Sequence, residues 1–154
     1  MSNPLAAIFS VSDTSLTDEQ RSFFREANPL GFILFARNCE SPAQLKALTD
    51  DLRETLGRHC PILIDQEGGR VQRLKPPVWR KYNPARIFGE QAERDMEGAL
   101  EDYRFRTLRI AEELTECGIN VNCDPVLDVS TPDTHEAIGD RAFSEDPAIV
   151  ARLG

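Results

Sequence analysis

Residues 61–73 read PILIDQEGGRVQR, and this stretch decides the fold. The apolar run from Pro61 to Ile64 is typical of a short buried strand. Asp65 follows it directly, and a glycine pair and two arginines three residues apart come next. In parallel α/β proteins, ligands gather at the carboxyl ends of the strands, where this carboxylate would lie. The stretch therefore predicts a parallel sheet with a polar-ligand site at its edge, of a kind that suits a sugar.

The rest of the chain alternates between short β-rich runs and longer stretches of helical period. Strands are predicted over residues 6–11, 31–35, 61–64 and 119–123, and helices over 17–28, 41–57, 94–117 and from 144 onward. This alternation is typical of repeated βα units around a parallel sheet. Four such units account for the whole chain, whereas a closed (β/α)8 TIM barrel needs about 250 residues. The chain is therefore predicted to supply half a barrel or a small open sheet.

Local signals predict where the helices begin and end. Thr17 with Gln20 forms a capping box, and Gly57 and Gly118 are typical left-handed helix ends. The helix at about 94–117 is predicted from the rough helical period of Leu100, Tyr103, Leu108, Ala111 and Leu114. The segment from Asp65 to about Arg86 is predicted to be irregular and, because of its length, functional.

Composition and charge indicate one globular domain and exclude several partners. The 154 residues are 40% hydrophobic, which is enough for one core. The net charge of -8 opposes binding to nucleic acid and to anionic membranes, since both are negatively charged. The apolar stretch in the opening MSNPLAAIFSV is too short for a secretory leader or a membrane span. We expect a cytoplasmic protein, and nothing in the sequence indicates a protein partner.

The cysteines and histidines predict no metal site. The chain has four cysteines without CxxC spacing and two histidines, neither of them near a second plausible ligand. Free thiols in such positions behave as small hydrophobic residues. We therefore expect reduced cysteines, no metal and no cofactor.

Three charged residues are predicted to form the ligand site. Asp65 can accept hydrogen bonds from two sugar hydroxyls, and arginine donates in a planar fork that suits oxygen-rich ligands. If the third and fourth strands are neighbours, Asp65, Arg73 and Arg141 converge at one edge of the sheet. The alternatives are that Asp65 caps a helix or pairs with Arg70, and that the arginines form a solvated surface.

A second set of carboxylates allows another interpretation. Glu67, Asp124 and Asp128 lie in the same two loops, and a pair of them could be the two carboxylates of a glycosidase. We discount this pair, because the PVLDV segment fits packing at the rim equally well, with Asp128 capping a turn.

Five motifs in order carry a resemblance to a known family. They are GFILFARN (31–38), SPAQLKAL (41–48), IDQEGGRVQRL (64–74), GINVNCDPVLDV (118–129) and IGDRAFSEDP (138–147). The chain resembles the amino-terminal part of the glycoside hydrolase family 3 β-N-acetylglucosaminidases, cytoplasmic enzymes of peptidoglycan recycling. The resemblance implies a TIM barrel in which Asp65, Arg73 and Arg141 bind a terminal N-acetylglucosamine.

The resemblance also implies that residues 1–154 are the amino-terminal portion of one barrel domain, which is truncated. The family works by a retaining mechanism with an aspartate nucleophile and a histidine acid/base, both expected beyond Gly154. No catalytic residue is therefore assigned in this chain, and the fragment alone is expected to be inactive. Asp124 departs from the small apolar residue common at that place. The alternatives are a family 3 β-glucosidase and a non-catalytic α/β sugar-binding module.

Overall fold

The computed structural model describes residues 3–154, which form two compact units. The first unit comprises the chain up to Asp65 together with Glu112–Asn122, and the second comprises Gln66–Ala111 and Cys123–Gly154. In chain order the elements are β1 (Leu5–Ser10), α1 (Asp18–Ala27), β2 (Pro29–Leu34), α2 (Pro42–Leu56), β3 (Ile62–Ile64), β4 (Gln66–Gly68), β5 (Val71–Gln72), α3 (Ala85–Ala92), α4 (Met96–Glu116), β6 (Val121–Asn122) and α5 (Pro147–Leu153). Short 3₁₀ helices lie at Ala36–Asn38 and Gly139–Arg141.

The first unit is built on a parallel sheet of four strands in the order β1-β2-β3-β6. In its centre Leu34 of β2 lies opposite Ile64 of β3, and Ile64 lies opposite Asn122 of β6. The strands of this sheet thus lie side by side in the order in which they occur along the chain, as successive βα units usually do. The predicted α/β fold is confirmed, although β6 is two residues long where five were predicted.

The predicted helix ends of the first unit are confirmed. The Thr17 hydroxyl accepts from the Gln20 amide at 3.2 Å while the Gln20 side chain accepts from the Thr17 amide at 2.9 Å. Gly57 and Gly118 have φ values of 62° and 76°, in the left-handed region where glycine carries no steric cost. These caps set where each helix returns the chain to the sheet.

The core of the first unit lies between the sheet and its helices. Phe32 and Ile62 are fully buried, and the Phe24 ring of α1 meets the Phe32 ring edge-on at 5.0 Å. Asn38 is also fully buried, and its side-chain amide donates to the carbonyls of Val11 and Asp13 at 3.1 and 2.8 Å. The GFILFARN motif therefore ends on a residue that ties together the loops after β1 and β2.

The second unit contains elements that the sequence did not predict. The segment expected to be irregular holds an antiparallel hairpin of β4 and β5, turned by Gly68 and Gly69 at φ values of 80° and 58°, and helix α3 begins at its end. The core of the second unit packs α3 against α4, α5 and the segment before α5. The Tyr103 ring meets the rings of Phe88 and Phe143 edge-on at 5.1 and 5.0 Å.

The predicted helix is present as α4, but two of the apolar positions that suggested it are not buried. Leu108 is 55% exposed and Ala111 is exposed, while the buried stripe includes Tyr103, Arg106 and Ile110. The apolar positions include a step of five residues from Tyr103 to Leu108, whereas Arg106 lies three residues after Tyr103 and four before Ile110. The charge of Arg106 conceals this buried stripe in the sequence. Across residues 3–154, no helix combines the length and hydrophobicity that crossing a bilayer requires.

None of the four cysteines forms a disulfide within residues 3–154. Cys60 and Cys117 are buried, as expected for packing residues, and Cys39 is half-buried. Cys123 is exposed, so a packing role does not extend to it.

Candidate functional site

Strand β4 carries two buried polar side chains, Gln66 and Glu67, that are 1% and 5% exposed. Gln66 Oε1 accepts from the backbone amides of Arg73 and Leu74 at 2.9 and 3.0 Å, and its amide nitrogen donates to the Leu74 carbonyl at 3.2 Å. A buried amide satisfied in this way holds a loop rigidly. Gln66 therefore fixes the backbone at Arg73, one of the three predicted site residues.

Glu67 holds a second predicted site residue, Arg141. Arg141 Nε and Nη2 donate to Glu67 Oε2 and Oε1 at 2.8 and 2.9 Å, a bidentate pair. The Glu67 side chain is 5% exposed and that of Arg141 is 27% exposed. Charge-assisted pairs of this geometry are stronger than neutral hydrogen bonds and fix orientation. Two successive residues of β4 thus support the Arg73 backbone and the Arg141 side chain.

Arg70, in the turn of the hairpin, fixes the loop that leads to Arg141. Its Nε donates to Asp140 at 2.9 Å. Its Nη2 donates to the carbonyls of Glu136, Ala137 and Ile138 at 3.0, 2.6 and 3.0 Å. We call this set of contacts the Arg70 clamp. The planar fork of Arg70 thus has a structural role in this loop.

A buried ion pair lies behind Glu67. Arg106 Nη1 donates to Asp124 Oδ2 at 3.0 Å, and the two side chains are 5% and 4% exposed. Arg106 Nη2 donates to the Glu67 carbonyl, and the guanidinium lies 5.0 Å from the centre of the Tyr103 ring. A buried guanidinium without a counter-charge is strongly destabilising. This pairing explains the acidic residue at position 124, which departs from the resemblance.

Burial changes the titration of this cluster. Burial raises the pKa of the Asp124 carboxyl above its ordinary value, and the positive charge of Arg106 opposes that rise. Burial also raises the pKa of the Tyr103 hydroxyl, which donates to Asp124 Oδ2 at 3.3 Å. The raised pKa of Asp124 fits a buried pair whose desolvation offsets much of its attraction.

The raised pKa of Asp124 predicts a pH-dependent difference between the wild type and Asp124→Asn. A carboxyl whose pKa is higher in the folded state contributes stability that is complete below the unfolded-state pKa and is lost as pH rises through the folded-state pKa. We therefore expect the wild type to gain stability relative to Asp124→Asn as pH falls from about 7 to about 4. Urea unfolding at successive pH values measures this, and a difference that stays constant with pH contradicts it.

Gly68 and Gly69 leave space that other groups of the protein occupy. A Cβ on Gly68 would meet the Asn83 carbonyl oxygen and lie 3.1 Å from Arg106 Nη2. A Cβ on Gly69 would lie 2.7 Å from a side-chain carbon of Pro84. A glycine pair can let a ligand approach the main chain closely. The groups that approach it here are the Asn83 backbone, Arg106 and Pro84.

The three predicted site residues fall in different units. Asp65 follows β3 directly and belongs to the first unit, whereas Arg73 and Arg141 belong to the second and are both supported by β4. The convergence of all three stays a prediction. Glu67 and Asp124, discounted as a catalytic pair, each bind an arginine.

The sequence reasoning missed Arg106. Two signals in the sequence could have revealed it. Arg106 lies at helical spacing from Tyr103 and Ile110, and an acidic residue lies in the otherwise apolar CDPVL. Such a combination predicts a buried ion pair, because each charge would otherwise lack a partner.

Comparison with known proteins gives relatives of one kind. The chain is 37% identical over 150 residues to a beta-hexosaminidase of Bordetella avium, covering 97% of this chain and 43% of that protein. It is 41% identical over 145 residues to a beta-hexosaminidase of Nitrosomonas eutropha, covering 93% and 40%. The chain therefore spans less than half the length of these relatives.

A solved structure agrees with these relatives. NagZ from Neisseria gonorrhoeae, in a complex with N-trifluoroacetyl-D-glucosamine, matches with a TM-score of 0.89 and 30% identity, covering 97% of this chain and 44% of that one. The prediction that the chain supplies about the first half of the fold is thus confirmed. The model of the glycosyl hydrolase family 3 N-terminal domain matches residues 7–154. The chain belongs to glycosyl hydrolase family 3.

Proposed function

We propose that this chain supplies the sugar-binding part of a β-N-acetylhexosaminidase that acts on terminal, non-reducing β-linked N-acetylglucosamine. Asp65 accepts from hydroxyls of the sugar, and Arg73 and Arg141 donate to its oxygens. The observation that carries the proposal is the bidentate hold of Glu67 on Arg141, at 2.8 and 2.9 Å, within the family shown by the comparisons. The sugar derivative bound by NagZ from Neisseria gonorrhoeae supports the same ligand class.

The support beneath the two arginines favours binding of a neutral, oxygen-rich ligand. Gln66 fixes the backbone at Arg73, and Glu67 fixes the Arg141 side chain. Because both groups are ordered before a ligand binds, binding does not have to supply the free energy of ordering them. Glu67 also neutralises the charge of Arg141, which favours a neutral sugar over an anion.

Bond cleavage is proposed for residues outside this chain. The resemblance assigns a retaining mechanism to an aspartate nucleophile and a histidine acid/base, with muropeptide-derived disaccharides of peptidoglycan recycling as substrates in the cytoplasm. Glu67 and Asp124 both hold arginines, which supports leaving them out of the chemistry. On this proposal the 154-residue chain alone does not hydrolyse aryl glycosides.

The first experiment is a titration of the isotope-labelled chain with N-acetylglucosamine, followed by NMR. We expect shifts at residues 65–73 and 139–141. Asp65→Asn and Arg141→Lys are each expected to weaken binding about 10-fold, since a hydrogen bond to a charged group contributes roughly 1.5–3 kcal/mol. The matched control is Arg104→Lys, on the exposed side of α4. Absence of binding, or equal binding by all variants, would contradict the proposed ligand.

The second experiment tests activity in a hybrid in which this chain replaces the matched part of Neisseria gonorrhoeae NagZ, with its folding checked by circular dichroism. We expect the hybrid to hydrolyse an aryl N-acetyl-β-glucosaminide in preference to an aryl β-glucoside. The reverse preference would favour the β-glucosidase alternative. Turnover by the 154-residue chain alone would refute the assignment of cleavage to residues outside it.

A further inference from the structure

We propose that Arg106, together with its counter-ion Asp124, is a positioning residue that orients Arg141 through Glu67. The functional consequence rests on the proposed sugar-binding role of Arg141, whereas the positioning itself does not. Arg106 acts on Glu67, whose carboxylate holds Arg141.

The first step is that the Arg106 guanidinium is held in one place. Asp124 accepts from Nη1 at 3.0 Å, and the rings of Tyr103 and Phe88 lie 5.0 and 5.9 Å from the guanidinium carbon. Tyr103 itself donates to Asp124, so the carboxylate is fixed from a second direction. Buried cation–π contacts add to this restraint. Arg106 therefore has little freedom to follow its neighbours.

The second step is the contact with the hairpin. Arg106 Nη2 donates to the Glu67 carbonyl at the point where Gly68 leaves space for the guanidinium. A side chain at position 68 would bring its Cβ within 3.1 Å of that nitrogen. Gly68 thus permits a helix side chain to reach the backbone of β4.

The third step is that Glu67 is held at both ends. Its carbonyl accepts from Arg106, and its carboxylate accepts two hydrogen bonds from Arg141. A shift of the Glu67 backbone therefore moves the carboxylate and the guanidinium bound to it. A donor displaced by about 1 Å loses much of its value for a ligand.

The bridge depends on the shape of arginine as well as its charge. Nη1 reaches Asp124 and Nη2 reaches the Glu67 carbonyl, so two atoms of one planar group face two partners. A lysine at this position would retain the positive charge beside Asp124. Its single nitrogen could not occupy both places, and the restraint on Glu67 would be lost.

The test is Arg106→Lys, with Arg104→Lys as the matched control on the same helix. The readout is hydrogen exchange of the Arg141 Nε–H, which donates to Glu67, assigned from its absence in Arg141→Lys. The Arg70 Nε–H, which donates to Asp140, is the internal reference for general loosening. We expect Arg106→Lys to accelerate exchange at Arg141 at least 10-fold, without an equal change at Arg70, and to weaken N-acetylglucosamine binding about 5-fold.

A second variant protects the test against loss of folding. Asp124→Asn keeps an oxygen acceptor for Arg106, so exchange at Arg141 is expected between the wild type and Arg106→Lys. Unchanged exchange at Arg141 in either folded variant, or equal acceleration at Arg70, would overturn the positioning role. If the wild type does not bind the sugar while Arg141 responds as expected, the proposed function fails and the positioning stands.

Discussion

Replacing Asp124 by alanine is expected to lower the free energy of unfolding by about 3–5 kcal/mol, because the variant removes the carboxyl oxygen that accepts from both Arg106 and Tyr103 and leaves these buried donors without it. The Arg106 side chain is 5% exposed, so water cannot readily replace the lost acceptor. Urea unfolding followed by circular dichroism gives the value, provided that the slope of the transition is unchanged.

Two controls separate this effect from simple removal of a carboxylate. Asp140→Ala removes the partner of Arg70 in a pair whose side chains are 47% and 40% exposed, and it should cost less than about 1 kcal/mol. The double variant Arg106→Met with Asp124→Ala removes both charges and should recover at least half of the loss, since apolar replacements of buried pairs are often neutral. If Asp124→Ala lowers the free energy of unfolding no more than Asp140→Ala does, Arg106 and Asp124 do not form a buried pair.

Gly68→Ala is expected to destabilise the protein by about 2–5 kcal/mol. The residue has a φ of 80°, where an L side chain costs about 1–2 kcal/mol, and its Cβ would meet the Asn83 carbonyl and Arg106. Gly57→Ala is the matched control, because Gly57 has a φ of 62° but nothing within 4 Å of its added Cβ. We expect only the backbone cost there. Equal losses in the two variants, by urea unfolding, would show that crowding at position 68 has no weight.

Much of the first unit could be predicted because its signals are local. The capping box at Thr17 and the glycine at position 57 each act within one turn of helix, and both are confirmed. The β-rich runs were separated by clear helical stretches, so the order of strands followed from the preference of successive βα units for neighbouring positions.

The second unit was harder to predict because its structure depends on contacts distant in sequence. The hairpin of β4 and β5 is short, and its buried polar residues conceal the pattern of a strand. The buried stripe of α4 could not be read from the sequence, because it includes Arg106, whose charge is paired with Asp124 18 residues further on. For the site, the residue types pointed to Asp65, Arg73 and Arg141, but the support from Gln66 and Glu67 could be seen only in the structure.

The Arg70 clamp has a consequence for how this loop tolerates changes of length. The clamp grips the carbonyls of residues 136–138, whereas residues 131–133 before it are exposed. Insertions are best accepted at such exposed polar tips. Extra residues between Pro132 and Asp133 would enlarge the loop upstream of the clamp, and Arg141 would keep its anchorage. New recognition elements could therefore be inserted at this position without disturbing Arg141.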